Sequence, residues 1–325
     1  MILMEVEQIQ EIANRLKVNV SRVIVGKEEA VELLLTAIIA SGHVLLEDVP
    51  GTGKTLLAKS LSASMESSFQ RIQFTPDLLP SDLTGIHFYN QKEGDFSFRP
   101  GPLFANMVLA DEINRATPRT QASLLECMEE RQISVDGETH ILGQPFIVLA
   151  TQNPIDNQGT FPLPEAQMDR FMLKMKLGYP SLDEGVEILK RTASYEVSQK
   201  LQPVVSQQEI VEAMTSYRNV KVQDDLLRYI IEIAEATRNH GDVSLGVSPR
   251  GTQALLRAVQ AFAAVKGRDY VLPDDIKHMT PFVLSHRLVF RNRLQQQEGR
   301  AELLLQEILN HVPVPSEDQF ESSVK

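Results

Sequence analysis

Five short apolar runs punctuate the first half of the chain: HVLLE (43–47), FQRIQF (69–74), MVLAD (107–111), FIVLAT (146–151) and MLKMKL (172–177). Most are nearly continuous in aliphatic residues. A strand with one wet face alternates apolar and polar residues, so continuous runs belong to strands buried on both faces. Stretches with helical spacing separate several of the runs. Strands alternating with helices define a mostly parallel α/β sheet with helices on both sides.

After Tyr179-Pro180 the strands stop. Ser181-x-x-Glu184 and Ser206-x-x-Glu209 are capping-box patterns, and each opens a helical stretch. The spacing predicts helices over about 182–194, 206–217, 223–240, 249–266, 273–287 and 300–312. The expected organisation is an α/β domain over 1–180 and a small all-helical domain over 181–312. The polar tail at 313–325 is expected to be disordered. Two further helices are expected before the first strand, over 5–17 and 28–41. Within the first domain two segments read as hairpins inserted on the sheet. EERQISVDGETHILG places Asp136-Gly137 between alternating runs, a strong hairpin signal. GIHFYNQKEGDFSFRPG (85–101) alternates around Glu93-Gly94.

The loop between the first strand and the following helix is LLEDVPGTGKT, and it carries the most specific chemistry. Gly53, Lys54 and Thr55 match the end of the G-x-x-x-x-G-K-[ST] phosphate loop, in the strand–loop–helix context that motif requires. Gly51 and Gly53 let backbone N–H groups turn inward around phosphates. The helix N-terminus adds its positive dipole end. Lys54 is placed to reach the β- and γ-phosphates and Thr55 to bind magnesium. The leading glycine is replaced by Asp48, with Glu47 before it. Carboxylates repel phosphates, so both are expected to point away from the concave side of the loop, toward backbone N–H groups or a basic residue.

Two more strand ends supply partners, since ligands of open α/β sheets bind along the C-terminal edge. ANMVLADEINRA ends a strand in Asp111-Glu112: Asp111 suits a metal, and Glu112 suits a base for an attacking water. FIVLATQNP places Thr151 and Asn153 where a polar group can orient that water. LPEAQMDRF puts Arg170 just before the last strand, able to stabilise charge on a γ-phosphate in cis or across a subunit boundary. SPRGTQALLRA puts Ser248 at a helix N-cap, Pro249 at N1 and Arg250 in the first turn. A cation there opposes the helix dipole, so an anionic partner would justify it.

Composition narrows the partners. The net charge is −11, which offers no general field for nucleic acid or anionic membranes. The tip of the second hairpin carries Asp136 and Glu138. The first offers Lys92 and Arg99 against Glu93 and Asp95, so neither presents a basic tracking surface. One cysteine, Cys127, excludes an internal disulfide and suits a reducing cytoplasm. Its place in LLECMEE reads as a small core residue. No run spans a bilayer, and MILMEVEQIQ lacks a secretory layout. The seven histidines show no ligand spacing.

Taken together, DVPGTGKT (48–55), LADEINRA (109–116), TQASLLECMEERQISVDG (120–137), LPEAQMDRF (163–171) and SPRGTQALLRAV (248–259) resemble the MoxR-type AAA+ ATPases, a likeness running from about residue 20 to 312. The resemblance implies an AAA+ P-loop domain with a five-stranded parallel sheet ordered 5-1-4-3-2, two hairpin insertions and a helical lid. It implies a homo-oligomeric, usually hexameric ring with ATP and Mg²⁺ between neighbouring subunits. Val25 and Gly26 match the segment that lines the adenine. Pro50, Gly51, Thr52, Gly53, Lys54, Thr55 and Leu56 match the phosphate-loop contacts, with Thr55 and Asp111 at the metal. Glu112 matches the catalytic carboxylate, Asn153 sensor 1, Arg170 the arginine finger and Arg250 sensor 2. Such proteins resemble chaperone-like machines that act beside a protein with a von Willebrand factor A domain and mature a metal-dependent enzyme. Two other functions fit the same motifs: a nucleic-acid-associated motor, and an ATP-gated adaptor with little turnover.

Overall fold

The computed structural model describes residues 4–49, 51–92, 94–152, 159–193, 201–292 and 299–315. Helices α1 (Val6–Ser21) and α2 (Glu28–Ile39) lead into β1 (Val44–Glu47), the glycine loop and α3 (Lys54–Ser64). Then come β2 (Phe69–Gln73), α4 (Pro80–Thr84) and a hairpin of β3 (Gly85–Asn90) and β4 (Asp95–Pro100). β5 (Met107–Asp111) and α5 (Pro118–Glu130) precede a second hairpin of β6 (Gln132–Val135) and β7 (Glu138–Ile141). β8 (Ile147–Gln152), α6 (Glu165–Met168) and β9 (Leu173–Met175) complete the α/β part.

The five core strands form one parallel sheet in the order β2-β5-β8-β1-β9. Counted along the chain this is 5-1-4-3-2, as the family resemblance implied. The continuous apolar runs follow from two cores, one on each face. Val44, Leu46, Leu109 and Leu149 face a core shared with α1, α2 and α3. Leu45, Val108, Ala110, Val148 and Ala150 face the other, built with Leu124, Leu125 and Met128 of α5. β2, at one edge of the sheet, is the exception: Ile72 is buried while Gln70, Arg71 and Gln73 are exposed.

Both hairpins form. Asp136 and Gly137 turn the second with φ of 51° and 86°, the left-handed pair a two-residue hairpin turn requires. The hairpins pack on each other. His87 Nδ1 lies 3.0 Å from Asp136 Oδ2, and the rings of Phe98 and His140 stack at 4.3 Å.

The lid comprises α7 (Leu182–Ala193), α8 (Gln207–Ser216), α9 (Asp224–Asn239), α10 (Pro249–Val265), α11 (Pro273–Leu284) and α12 (Arg300–His311). Both capping boxes are made, with Ser181 and Glu184, and Ser206 and Glu209, bonding reciprocally. The expectation of an all-helical lid needs one correction: β10 (Val243–Leu245) pairs antiparallel with β11 (Val289–Phe290). Strands this short carry no periodicity, and their pairing spans more than forty residues. Nor does the apolar core end with the sheet. Ile12 and Leu16 of α1 and Leu34 of α2 share one cluster with Leu255, Ala258 and Val259 of α10. Arg15 of α1 pairs with Glu209 of α8 at 2.8 Å, and Glu32 of α2 with Lys266 at 2.8 Å.

Candidate nucleotide-binding site

The glycine loop leaves the C-terminal end of β1 and delivers its backbone to the N-terminus of α3. Gly51 and Gly53 have φ of 88° and 92°, and a Cβ at either would point into open space. Their lack of side chains therefore answers a backbone demand, not crowding. Gly53 is the N-cap of α3, and no side chain caps that end. The first N–H groups of the helix are thus left for an anionic ligand. Lys54 curls over the loop and donates to the carbonyls of Asp48 (3.0 Å) and Val49 (2.9 Å). Thr55 sits in the first turn of α3, half-buried.

The two carboxylates at the rim point as charge repulsion requires. Asp48 is 6% exposed. Its Oδ2 accepts from the backbone N–H groups of Leu177 (2.9 Å) and Gly178 (3.0 Å), and its Oδ1 from Val49 N–H (2.8 Å). Glu47 pairs with Lys174 of β9 at 2.7 Å. Asp48 thus joins the loop to the segment leaving β9, a role a glycine cannot fill.

A cleft of about 830 Å³ opens beside the loop, within the range that small-molecule sites occupy. Gly51, Thr52, Gly53 and Leu56 of the loop line it, and so does Val25. Gly26 does not line it. It turns the chain at φ 67°, with the Glu184 side chain packed where a Cβ would stand. Leu177 and Ile188 supply apolar surface that strand and loop motifs did not reveal. They come from the connection to α7 and from α7 itself, which folds back over the cleft.

Beside β1, across β8, lies the second half of the site. Asp111 ends β5, 9% exposed. Thr151 of β8 donates to Asp111 Oδ1 at 2.6 Å and accepts from Glu112 N–H at 2.8 Å. Thr151 therefore ties the two acidic residues together. Arg71 of β2 donates to Asp111 Oδ2 at 2.6 Å. Glu112 adopts φ 58° and ψ 51°, left-handed for a non-glycine residue. Such backbone costs about 1–2 kcal/mol and concentrates at functional sites. Its Oε2 accepts from Gln73 Nε2 at 2.8 Å and meets Arg115 Nε at 3.1 Å. Pro50 and Asn153 lie outside the described residues. The donor set suits magnesium: a carboxylate and a threonine hydroxyl are hard oxygen ligands. Among the described residues no cluster of three or more His, Cys, Asp or Glu offers an all-protein metal cage.

Arg170 and Arg250 are elsewhere. Arg170 precedes β9 at its N-terminal end, where Met172 N–H bonds to His43 O at the start of β1. Arg250 forms an ion pair with Glu129, next to Met128, whose carbonyl bonds His43 Nε2. Both arginines therefore lie at the N-terminal edge of the sheet. The glycine loop lies at the C-terminal edge. The four residues of β1 put about 13 Å between those edges. Ser248, two residues before Arg250, bonds to Asp169, the residue before Arg170, so the two segments meet at that edge and not at their own loop. Arg257, two helical turns after Arg250, and buried Arg287 lie close to Arg250: repulsion from Arg250 and Arg257 adds to the effect of burial on Arg287.

The fold and the loop define a nucleotide-binding protein of the AAA class, and the comparisons agree. A model described as "ATPase family associated with various cellular activities (AAA)" matches residues 43–173, and one described as "AAA lid domain" matches residues 235–308. The chain is 48% identical to YeaC of Bacillus subtilis, over 91% of this chain and 93% of that protein. It is 40% identical to Chaperone MoxR1 of Mycobacterium tuberculosis, over 91% of this chain and 80% of that one. A crystal structure of a Cytophaga hutchinsonii protein superposes with a TM-score of 0.88 at 39% identity, covering 95% of this chain and 98% of that one. The chain belongs to the MoxR-type AAA+ ATPases.

Proposed function

We propose that the chain binds magnesium ATP in the cleft beside Lys54 and hydrolyses it in a ring, most simply a hexamer, whose sites are completed by the neighbouring subunit. The observation that carries this reading is the separation of Arg170 and Arg250 from their own loop. Arg250 is exposed and Arg170 half-buried at one edge of a chain with net charge −11. A neighbour's nucleotide supplies the anion that Arg170 lacks and competes with Glu129 for Arg250. Both arginines then act in trans.

In this reading Gly51 to Lys54 cradle the phosphates with backbone N–H groups and one ammonium. Thr55 and Asp111 hold the metal, directly or through water. Magnesium supplies charge neutralisation on the phosphates when bound. Glu112, fixed by its left-handed backbone and by Thr151, takes the proton of the attacking water. It must first exchange its contacts with Gln73 and Arg115. Val25, Leu56, Leu177 and Ile188 enclose the base. Asn153 belongs to the site by its place after β8.

The domain boundary falls near residue 180, and ATP turnover drives the lid against the sheet. The output is remodelling or maturation of a client protein, in keeping with the name of the Mycobacterium tuberculosis relative. A protein with a von Willebrand factor A domain is the partner we propose. A buried free cysteine suits a cytoplasmic setting. The acidic tip of the second hairpin, tied to His87, gives no support to a nucleic-acid motor.

The test is a mixing experiment. Glu112→Gln should retain ATP binding and lose hydrolysis; unimpaired turnover removes Glu112 from its role. Arg170→Ala should bind ATP and lose turnover by about 10³-fold or more. Mixed with Lys54→Ala chains, it should recover part of that turnover. No recovery in confirmed mixed rings would exclude the shared site. Proteins retained by the Glu112→Gln chain identify the client.

A further inference from the structure

We infer that Asp169 is the residue through which the helical lid positions Arg170. The inference rests on the reading of Arg170 as the group that acts on a neighbour's nucleotide. Asp169 follows α6 and immediately precedes Arg170. Both of its carboxylate oxygens are taken by the lid. Oδ1 accepts from Arg287 Nε at 2.6 Å, and Oδ2 accepts from Ser248 Oγ at 3.0 Å. The main chain on either side of Arg170 is gripped too. Arg287 Nη2 donates to the carbonyls of Asp169 (3.2 Å) and Phe171 (2.7 Å). His286 Nε2 bonds to the same Phe171 carbonyl at 3.0 Å.

These lid groups are not surface contacts. The Arg287 side chain is 3% exposed, and His286 is buried beside it. A guanidinium presents its donors in a rigid fork, so several bonds from one fork fix orientation as well as distance. Burial lowers Arg287 to about 10, which still leaves it protonated at neutral pH, and the Asp169 charge works in its favour. Ser248 is the N-cap of α10: its oxygen accepts from Gly251 N–H at 3.1 Å while its hydroxyl reaches Asp169. The same helix carries Arg250 two residues on. Among the described residues the Arg170 guanidinium makes no hydrogen bond or ion pair. Its place is therefore set by its backbone; Arg287 and His286 hold that backbone, and Ser248 holds the Asp169 carboxylate beside it. A rotation of the lid carries Ser248 and Arg287 with it and moves Arg170. The nucleotide state of one subunit, sensed where α7 covers the cleft, thereby reaches the site of the next.

A buried ion pair that merely docks the lid would make the same contacts. The two roles differ in what they do to a neighbour. Displacing a catalytic group by about 1 Å costs on the order of 100-fold in rate. In the full chain, Asp169→Asn is expected to keep ATP affinity, measured with a fluorescent ATP analogue. It should also keep ring assembly, measured by sedimentation. Its kcat should fall about 100-fold with little change in KM. Mixing with Lys54→Ala chains, whose Arg170 is intact, should restore turnover as it does for Arg170→Ala. Wild-type kcat in Asp169→Asn overturns the inference. So does a loss that mixing does not rescue while Arg170→Ala is rescued, because Asp169 then only holds the fold. If Arg170→Ala itself keeps its kcat, the reading of Arg170 fails instead, and the two failures are told apart. Should Asp169→Asn not melt cooperatively, Ser248→Ala takes its place. It removes only the bond to Asp169 Oδ2 and the cap. A rescued fall in its kcat supports the inference, and an unchanged or unrescued kcat overturns it.

Discussion

Asp48 shows how one residue can look wrong in a motif and be right in a fold. Next to a phosphate loop a carboxylate is repelled by the ligand. Here it is turned away and accepts from the N–H groups of Leu177, Gly178 and Val49. Removing it leaves buried donors unsatisfied, at a cost of about 1–3 kcal/mol. Asp48→Ala is therefore expected to lower stability by that amount in urea titrations and to weaken ATP binding, since the loop loses its tie to the segment after β9. Asp48→Asn keeps one acceptor oxygen and should lose less. That direction was legible from charge alone. The partners were not, because Leu177 and Gly178 lie far along the chain. Cys127 is the opposite case. It reads as a small core residue and is one: burial pushes its thiol up to about 12, with Glu126 adding to the shift. Such a thiol is inert at neutral pH.

The joints between elements were the hardest to foresee. His43 is a lone histidine before β1, with nothing in the sequence to distinguish it. In the fold it ties three elements, bonding to the carbonyl of Met128 at the end of α5 and accepting from Val148 N–H in β8. Burial, helped by the charge of Arg131, lowers its pKa to about 3. The unfolded chain has an ordinary histidine near 6.5. Between about pH 3 and 6.5 the unfolded state therefore binds the extra proton, and stability rises with pH across that window, by at most about 1.4 kcal/mol per unit from this group. His286, also buried and lowered, acts in the same direction. Denaturant titrations at pH 5 and pH 7 should show a drop toward acid, and His43→Asn should show a smaller drop. Elements buried on both faces were legible because they leave continuous apolar runs. β2 was legible only in part, since an edge strand exposes residues such as Arg71 and Gln73. Those two reach Asp111 and Glu112, and their only signal was two polar side chains on one face of a short strand.

On the scale of the whole molecule, the sheet and the lid are joined through α1 and α2. Leu16 packs in one cluster with Leu255 and Ala258, Arg15 pairs with Glu209, and Met4 N–H bonds to Ser216 Oγ. Deleting residues 1–21 should therefore destabilise the lid as well as the sheet. The expected result is one early, cooperative transition in calorimetry that lowers both. A lid that melts at its original temperature in the shortened chain would contradict this coupling. No helix among the described residues is long and apolar enough to cross a membrane.

The amino-acid sequence by itself determined the parallel sheet, the glycine loop, both hairpins and the acidic strand end. Each of these is written in residues close together along the chain: an apolar run, a turn pair, a loop between strand and helix. The sequence also placed Arg170 and Arg250 as cations awaiting an anion. Only the tertiary structure decided where they face. The parallel register sets β9 beside β1 with both starts at one edge, and the lid anchors α10 to Asp169 at that same edge. The glycine loop leaves from the other edge. Residues distant in sequence are brought together by the packing of the lid on α1 and α2, and no local pattern encodes that packing.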